Sequence, residues 1–360
     1  MAKKRKIRFG MFPKMLIPMA VIAIVPLVVT WQINLKTTTD SIQLNVNKQL
    51  DELSTGLVNF VDTWVEMNLR MLRQNAATSQ MRSMDPNKQE ELLKLITKEY
   101  NWNYLAFTVD SYGQNIARSD GKALKFYGDR DYVKQVLRGG EYGSQVLISR
   151  TTGKPSLIIS VPIRSGAEQL KGVLAIGMSI EQISEHVTKA KIGKTGHAFI
   201  LDELGKIIAH QSPEFTKERK DLSDHPAFIA SRSNTMELIY TDQKTGEKMV
   251  SVAQTTNFGW TLIAELPYNE AFAELSTINH KAVIFLVGTL IAVIIIAYLV
   301  ARGLSIPIQK LTLTTEKLSR GEFNSKLRYT NRKDEIGALS RAIGLLATSN
   351  KILLQRMSSK

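Results

Sequence analysis

The chain is 360 residues long, has no cysteine, and carries a formal net charge of +14. The length allows two or three domains, and the lack of cysteine excludes a disulfide scaffold and thiolate metal sites. The basic excess flanks apolar runs instead of interleaving with aromatic residues on one soluble face, which excludes a nucleic-acid-binding module.

Lys3, Lys4, Arg5, Lys6, Arg8 and Lys14 precede the apolar run Met15–Trp31. A cleaved signal peptide is the competing reading, but the run is long for one and no small-x-small site follows it. We read residues 15–34 as an uncleaved membrane helix, in which Pro18 and Pro26 are tolerated. From Leu35 to Met84 apolar residues recur at threes and fours (Leu50, Leu53, Leu57, Phe60, Val61, Trp64), predicting one long helix that packs on a partner surface. Asp85-Pro86-Asn87 ends it and starts another helix, Gln89–Tyr100.

Beyond Tyr100 the texture changes to strands and turns. Strands are expected at Tyr104–Val109, Asn115–Arg118, Gln145–Ser149, Ser156–Pro162 and Gly172–Ile180, with a short helix at Tyr132–Leu137. After a helix at Glu181–Val187, HAFILDELGKIIAH (197–210) repeats the strand, acidic turn and strand of 105–118. Met236–Tyr240, Lys248–Thr255 and Trp260–Glu265 complete a second sheet, and a helix over Pro267–Asn279 follows. The fold class is α+β: two antiparallel sheet modules in series on a helical spine.

Ala282–Val300 has no charge and is long enough to cross a ~30 Å hydrocarbon layer as a helix. A buried helix of a soluble protein is the bland alternative, and a core helix apolar on every face at this length is rare. The basic N-terminus (residues 1–14) is expected in the cytoplasm, which puts 35–280 outside, a second crossing at 281–301, and 302–360 inside. The basic segments would also attract anionic membrane lipid.

GDRDYVKQVLRGG (128–140), SRTTGKPSLIISVPI (149–163), GVLAIGMSI (172–180) and KTGHAFILDELGKIIAH (194–210) resemble, in order and spacing, the double Cache sensor domains of bacterial receptors. The resemblance covers most of 35–280 and implies two PAS-like modules, a membrane-distal one at about 85–180 and a proximal one at about 181–265. The last block, LSIPIQKLTLTTEKLSRGEF (304–323) and NRKDEIGALSRAIGLLATSNKILL (331–354), has two seams near heptad spacing joined by a polar stretch. It resembles a HAMP linker over 302–354, with Pro307 early in the first helix, Gly321 after it, and Asp334-Glu335-Ile336-Gly337 opening the second. Asp334 suits the helix start as a cap, and the early acids suit its dipole. The HAMP likeness implies a homodimer, because that unit is a four-helix coiled coil of two chains.

The Cache likeness implies a ligand pocket in the distal module around Tyr104, Arg118, Asp120, Tyr127, Asp129, Arg130, Tyr132, Arg150 and Ser160. Arginine offers a bidentate fork for a carboxylate and tyrosine a flat wall with one hydroxyl. Arg130 is the leading anchor; the bland reading is an ion pair with Asp129 or Asp131. Amino-acid-binding members carry a Tyr five residues before this Arg, an aromatic pair after it, and an Asp late in the sheet. This chain has Lys125, Tyr132-Val133 and Gly177 there, so the ammonium anchor is missing and an organic anion is expected instead of a free α-amino acid. The five histidines lack zinc-site spacing, and no nucleophile elbow, P-loop or dinucleotide fingerprint stands in context, so no enzyme activity, metal or cofactor is expected.

After Leu354 only QRMSSK remains, so the output is expected in a separate cytoplasmic signalling protein (a kinase, chemotaxis, cyclase or phosphatase component). Two readings compete with this receptor. One is the sensory half of a longer chemoreceptor or histidine kinase; the other is an anchored surface enzyme or adhesin.

Overall fold

The computed structural model describes residues 11–149, 151–165, 169–233, 235–243, 245–322 and 327–358. Two compact units emerge: residues 41–274, and residues 1–40 together with 275–360.

Helix α1 runs unbroken over Met11–Ala76, past Pro18 and Pro26. The expected helix to Met84 instead stops here. Ala77 and Thr78 turn the chain, Thr78 Oγ1 accepts the Met81 amide at 3.3 Å, and a single turn, α2 (Ser79–Arg82), follows. Helix α3 starts at Pro86, earlier than the apolar pattern indicates, because Asp85 caps it through the Asn87 amide at 3.0 Å and proline suits the first helical turn.

In the first module, β1 (Asn103–Asp110) and β2 (Asn115–Arg118) are followed by α4 (Asp131–Leu137), β3 (Gly143–Ile148), β4 (Pro155–Arg164) and β5 (Leu170–Ser179). In the second, α5 (Glu181–Thr188) leads to β6 (His197–Leu201), β7 (Ile207–Ala209), α6 (Pro213–Glu218), α7 (Pro226–Arg232), β8 (Glu237–Thr241), β9 (Lys248–Thr255) and β10 (Thr261–Pro267). The strand orders are β2-β1-β5-β4-β3 and β7-β6-β10-β9-β8, so the modules share one topology. The patterning missed α6 and α7, which are six and seven residues long, too short to develop a helical period.

Strand alternation gives each sheet two buried faces. In the first sheet, Leu157, Ile159, Val161 and Ile163 point one way and are fully buried. Leu105, Phe107, Val109, Ile158, Val173 and Ala175 point the other way, into the cluster closed by Tyr132, Val133 and Val136 of α4. In the second sheet Phe199, Leu201, Ile207, Ala253 and Ile263 pack with Ala227 and Phe228 of α7.

The spine α1 buries Leu50, Leu57, Val61, Trp64, Val65, Leu69 and Leu72 and is pinned by polar side chains. Trp64 Nε1 donates to Gln182 of α5 (2.9 Å), Asn68 Oδ1 accepts from Trp102 beside β1 (2.9 Å), and Asp51 Oδ1 accepts from Gln254 of β9 (2.6 Å).

After β10 come the turn α8 (Tyr268–Ala271) and α9 (Ala273–Ser319), then α10 (Glu335–Ser358). Among the described residues α1 and α9 are long and apolar enough to cross a membrane. Pro307 lies inside α9 and cannot donate to the Gly303 carbonyl one turn back. Arg332 Nη1 supplies a donor to that carbonyl at 3.4 Å, while its Nε holds Asp334 Oδ2 at 2.9 Å. Asp334 Oδ1 accepts the Gly337 amide at 3.1 Å and so caps α10. A Cβ on Gly337 would sit 2.0 Å from the Arg332 carbonyl, which is why that position is glycine. Gly321, at φ 87°, ends the α9 segment: its amide bonds the Leu318 carbonyl and the Glu322 amide bonds that of Lys317, a Schellman closure.

Leu69→Ala, at a fully buried point of α1, is expected to cost about 2–5 kcal/mol of stability. Urea unfolding monitored by tryptophan fluorescence should show the lower midpoint with native helical content unchanged.

Candidate ligand site

The first module gathers most of the expected site residues on the α4 side of its sheet. Arg118, at the end of β2, has a side chain only 3% exposed. Its guanidinium donates to both carboxylate oxygens of Asp120 at 2.8 and 2.9 Å, and also to the Tyr127 hydroxyl. The paired Arg118 holds the Asp120 carboxyl below its ordinary range, and Asp120 raises Arg118 in turn. The Tyr127 ring packs on Phe107 at 4.5 Å. Arg118, Asp120 and Tyr127 therefore form a closed wall whose fork is already filled.

Arg130 differs. It is the N-cap residue of α4, and its guanidinium, 28% exposed, has one acid at 3.7 Å, Asp129. Among the described residues that contact leaves the bidentate face of the fork unused. Tyr132 is buried behind it; burial, reinforced by Tyr127, drives its phenol well above the ordinary value while Arg130 opposes the rise. Tyr104 lies over Gly177, where a Cβ would come within 2.8 Å of the phenol. Burial raises the Tyr104 phenol too, against hydrogen bonds to Ser149 and Ser156. Ser160 donates to the Tyr132 carbonyl at 2.6 Å, and so ties α4 to the sheet. Gly143 permits this approach, since a Cβ there would lie 2.0 Å from the same carbonyl. Arg150 lies outside the described residues.

The second module carries a constellation that the sequence reading did not assemble. The two acidic turns superpose in register: Asp110 Oδ1 accepts the Tyr112 and Gln114 amides, and Asp202 Oδ1 accepts the Leu204 and Lys206 amides, all at 2.9 Å. Counting from these turns, Phe107 corresponds to Phe199, Arg118 to His210, and Leu105 to His197. Leu105 faces Gly177 across the ladder and His197 faces Glu265, so Gly177 corresponds to Glu265. His225 occupies the N-cap position of α7 as Arg130 occupies that of α4, neither making a side-chain capping bond.

These groups form a buried network. Tyr240 donates to Glu265 at 2.7 Å, its oxygen meets His225 Nε2 at 3.1 Å, and His197 Nε2 lies 3.2 Å from Glu265. His225 Nδ1 is buried without a partner among the described residues. Burial raises the Glu265 carboxyl and lowers His197 and His225; it lowers His210 to about 4, with His197 and Lys220 adding to the effect. The module repeat was the signal that could have found this set.

Residues 34–275 match the Cache domain family, and residues 299–350 match the HAMP domain. This chain belongs to the Cache-domain family. It is 28% identical over 234 residues to the methyl-accepting chemotaxis protein TlpA of Bacillus subtilis, covering 64% of this chain and 33% of that one. It is 23% identical over 345 residues to the methyl-accepting chemotaxis protein PscA of Pseudomonas syringae, covering 92% of this chain and 53% of that one. The chain thus spans about a third of the length of its Bacillus relative. The ligand-binding domain of the Pseudomonas fluorescens chemoreceptor CtaA, solved with L-isoleucine, aligns at TM-score 0.55 and 16% identity, covering 66% of this chain and 99% of that one. That of the Pseudomonas aeruginosa amino-acid chemoreceptor PctB aligns at TM-score 0.52 and 16% identity, covering 64% and 98%. At these identities the likeness is one of fold.

Two outcomes follow from the paired Cache modules. Asp120→Ala leaves the buried Arg118 charge unmatched and is expected to cost about 3–5 kcal/mol, whereas the double change Arg118→Met with Asp120→Leu should recover most of it; denaturant midpoints of the three chains decide this. In the second module the unfolded chain takes up protons below the ordinary histidine value of 6.5, protons that folded His210 refuses down to about 4. Stability is therefore expected to fall as pH drops through this window, with Glu265, whose folded value is raised, opposing the loss as it protonates. Melting temperature against pH should show a shallower slope in His210→Gln.

Proposed function

We propose that this chain is the sensing and membrane-crossing part of a bacterial receptor, placed in the cytoplasmic membrane with both ends of 1–360 inside. In this reading residues 1–14 are cytoplasmic, 15–34 and 281–301 cross the membrane, the Cache unit 35–280 lies outside, and 302–354 forms HAMP before the tail 355–360. The observation that carries it is the continuity of α9: one helix runs from Ala273, just past the second sheet, through the apolar stretch 282–300 and on to Ser319 in HAMP. A ligand that favours one state of the outer unit shifts the population of helix positions in α9, and HAMP repacks between two arrangements.

The ligand is a small organic anion held in the distal module. Arg130 takes its carboxylate, Asp129 orients Arg130, and Tyr104, Tyr127 and Tyr132 wall the site; Arg118, Asp120 and Ser160 hold that wall and α4 in place. The support is the part-exposed fork of Arg130, together with Gly177 and the overlying Tyr104 where an ammonium anchor would stand. The HAMP helices pair with those of a second copy: Leu345 and Leu346 of α10 are 73% and 65% exposed in one chain. Pro307, Gly321, Asp334, Glu335 and Gly337 set the geometry of that bundle. The chain is not itself catalytic, anionic lipid holds its basic ends, and its output passes to chemotaxis-type signalling, as the names of its relatives suggest.

A thermal-shift screen of the full chain in nanodiscs tests this. An organic acid held at Arg130, at a hundred times its dissociation constant, should add about 2.7 kcal/mol of stability, and Arg130→Ala should remove that share of the gain. Stabilisation by a common α-amino acid would overturn the organic-anion assignment. Silence across acids, amino acids, amines and sugars would overturn the small-ligand reading.

A further inference from the structure

Within the outer unit, a cleft of about 480 Å³ opens between the modules, a size typical of small-molecule sites. The β3–β4 turn supplies Lys154, the start of β4 supplies Pro155, α5 supplies Ser184 and Thr188, and the stretch after β7 supplies His210 and Lys217. Three features give this cleft a chemical preference. Lys154 and Lys217, one from each module, have no ion-pair partner among the described residues, whereas the rim acid Glu185 is paired with Lys189 at 3.2 Å. His210 Nδ1 accepts the Ser212 amide at 2.9 Å, which fixes the tautomer and leaves the proton on Nε2 as a donor. The His210 backbone amide donates to Thr216 Oγ1 at 3.0 Å, so the residue is held through its backbone and through ring Nδ1.

We propose that this inter-module cleft is a second ligand site, taking a small organic monocarboxylate whose apolar body lies on Pro155 and Pro213 and whose carboxylate meets Lys154, Lys217 and His210 Nε2–H. The apolar floor and the donors are both present in the lining. Glu181, also on the rim, offsets one of the two lysines and disfavours dianions. The site is separate from Arg130, and its walls belong to different modules. A bound anion therefore favours the arrangement in which the walls stand together. Outside the cleft lining, Arg219 bridges the two modules, donating to the Val146 carbonyl of β3 and to Asp202 of the second module.

The test uses the full chain in micelles with ¹³Cε1-labelled histidine, whose five signals are assigned by single variants such as His210→Gln. Acetate, butyrate and benzoate are titrated, with benzyl alcohol as the neutral control. The site predicts a saturable shift of the His210 signal by a carboxylate but not by the alcohol. Its titration midpoint should also move up from about 4, because a neighbouring anion favours the imidazolium form. The double change Lys154→Met with Lys217→Met, both on the open rim, should weaken binding by about tenfold or more while Arg130→Ala leaves it intact. No saturable shift with any of the three carboxylates, or unchanged affinity in the lysine double variant, overturns the proposal. So does loss of the shift in Arg130→Ala, which would assign it to relay from the distal site.

Discussion

Two sheets in series cannot both bury a back face unless something long lies along them, and in this protein that element is α1. Its stripe from Leu50 to Ala76 supplies the apolar contact, and a few polar side chains set the register: Asp51 on Gln254, Trp64 on Gln182, and Asn68 on Trp102. Apolar contact alone would tolerate a slide of one helical turn, because the stripe repeats. The hydrogen bonds do not, since each part-buried donor moved off its acceptor loses its partner.

The two Cache modules show one topology serving opposite electrostatic solutions. The first places a full cation, Arg118, against a full anion, Asp120, and leaves Gly177 uncharged beneath Tyr104. The second puts the carboxyl of Glu265 at the matching position and surrounds it with neutral donors, His197, His225 and Tyr240. An ion pair is insensitive to pH near neutrality, whereas a carboxyl satisfied by imidazoles responds to it. The inter-module cleft meets the second network at His210, whose ring centroid lies 5.8 Å from that of His197.

At the other end of the chain, the joint between α9 and α10 is built around a hydrogen bond that proline deletes. Pro307 frees the Gly303 carbonyl, Arg332 takes it up, Asp334 holds Arg332 and caps α10, and Gly337 makes room for the Arg332 backbone. A displacement of α9 acts on all four groups together, so the capping of α10 is coupled to the position of the helix that precedes it.

Much of the fold was legible in the residues themselves. Charge-free length at 282–300, basic flanks, alternation along the strands, and the acidic turns at Asp110 and Asp202 report local constraints, and a local pattern is enough to read them. Gly321 and the Asp334–Gly337 run each act within one helix end, which a local pattern can mark, whereas the link from Pro307 through the Gly303 carbonyl to Arg332 joins residues far apart in sequence. What the tertiary structure alone decided is which side chains meet. That Arg118 is filled by Asp120 while Arg130 stays open depends on where β2 and α4 fall over the sheet. Ser160 bonds backbone because α4 crosses it closely. Glu265 finds His197 only through the β6–β10 ladder, between strands far apart in sequence. Contacts of that kind are set by register and crossing, which no short stretch of sequence encodes.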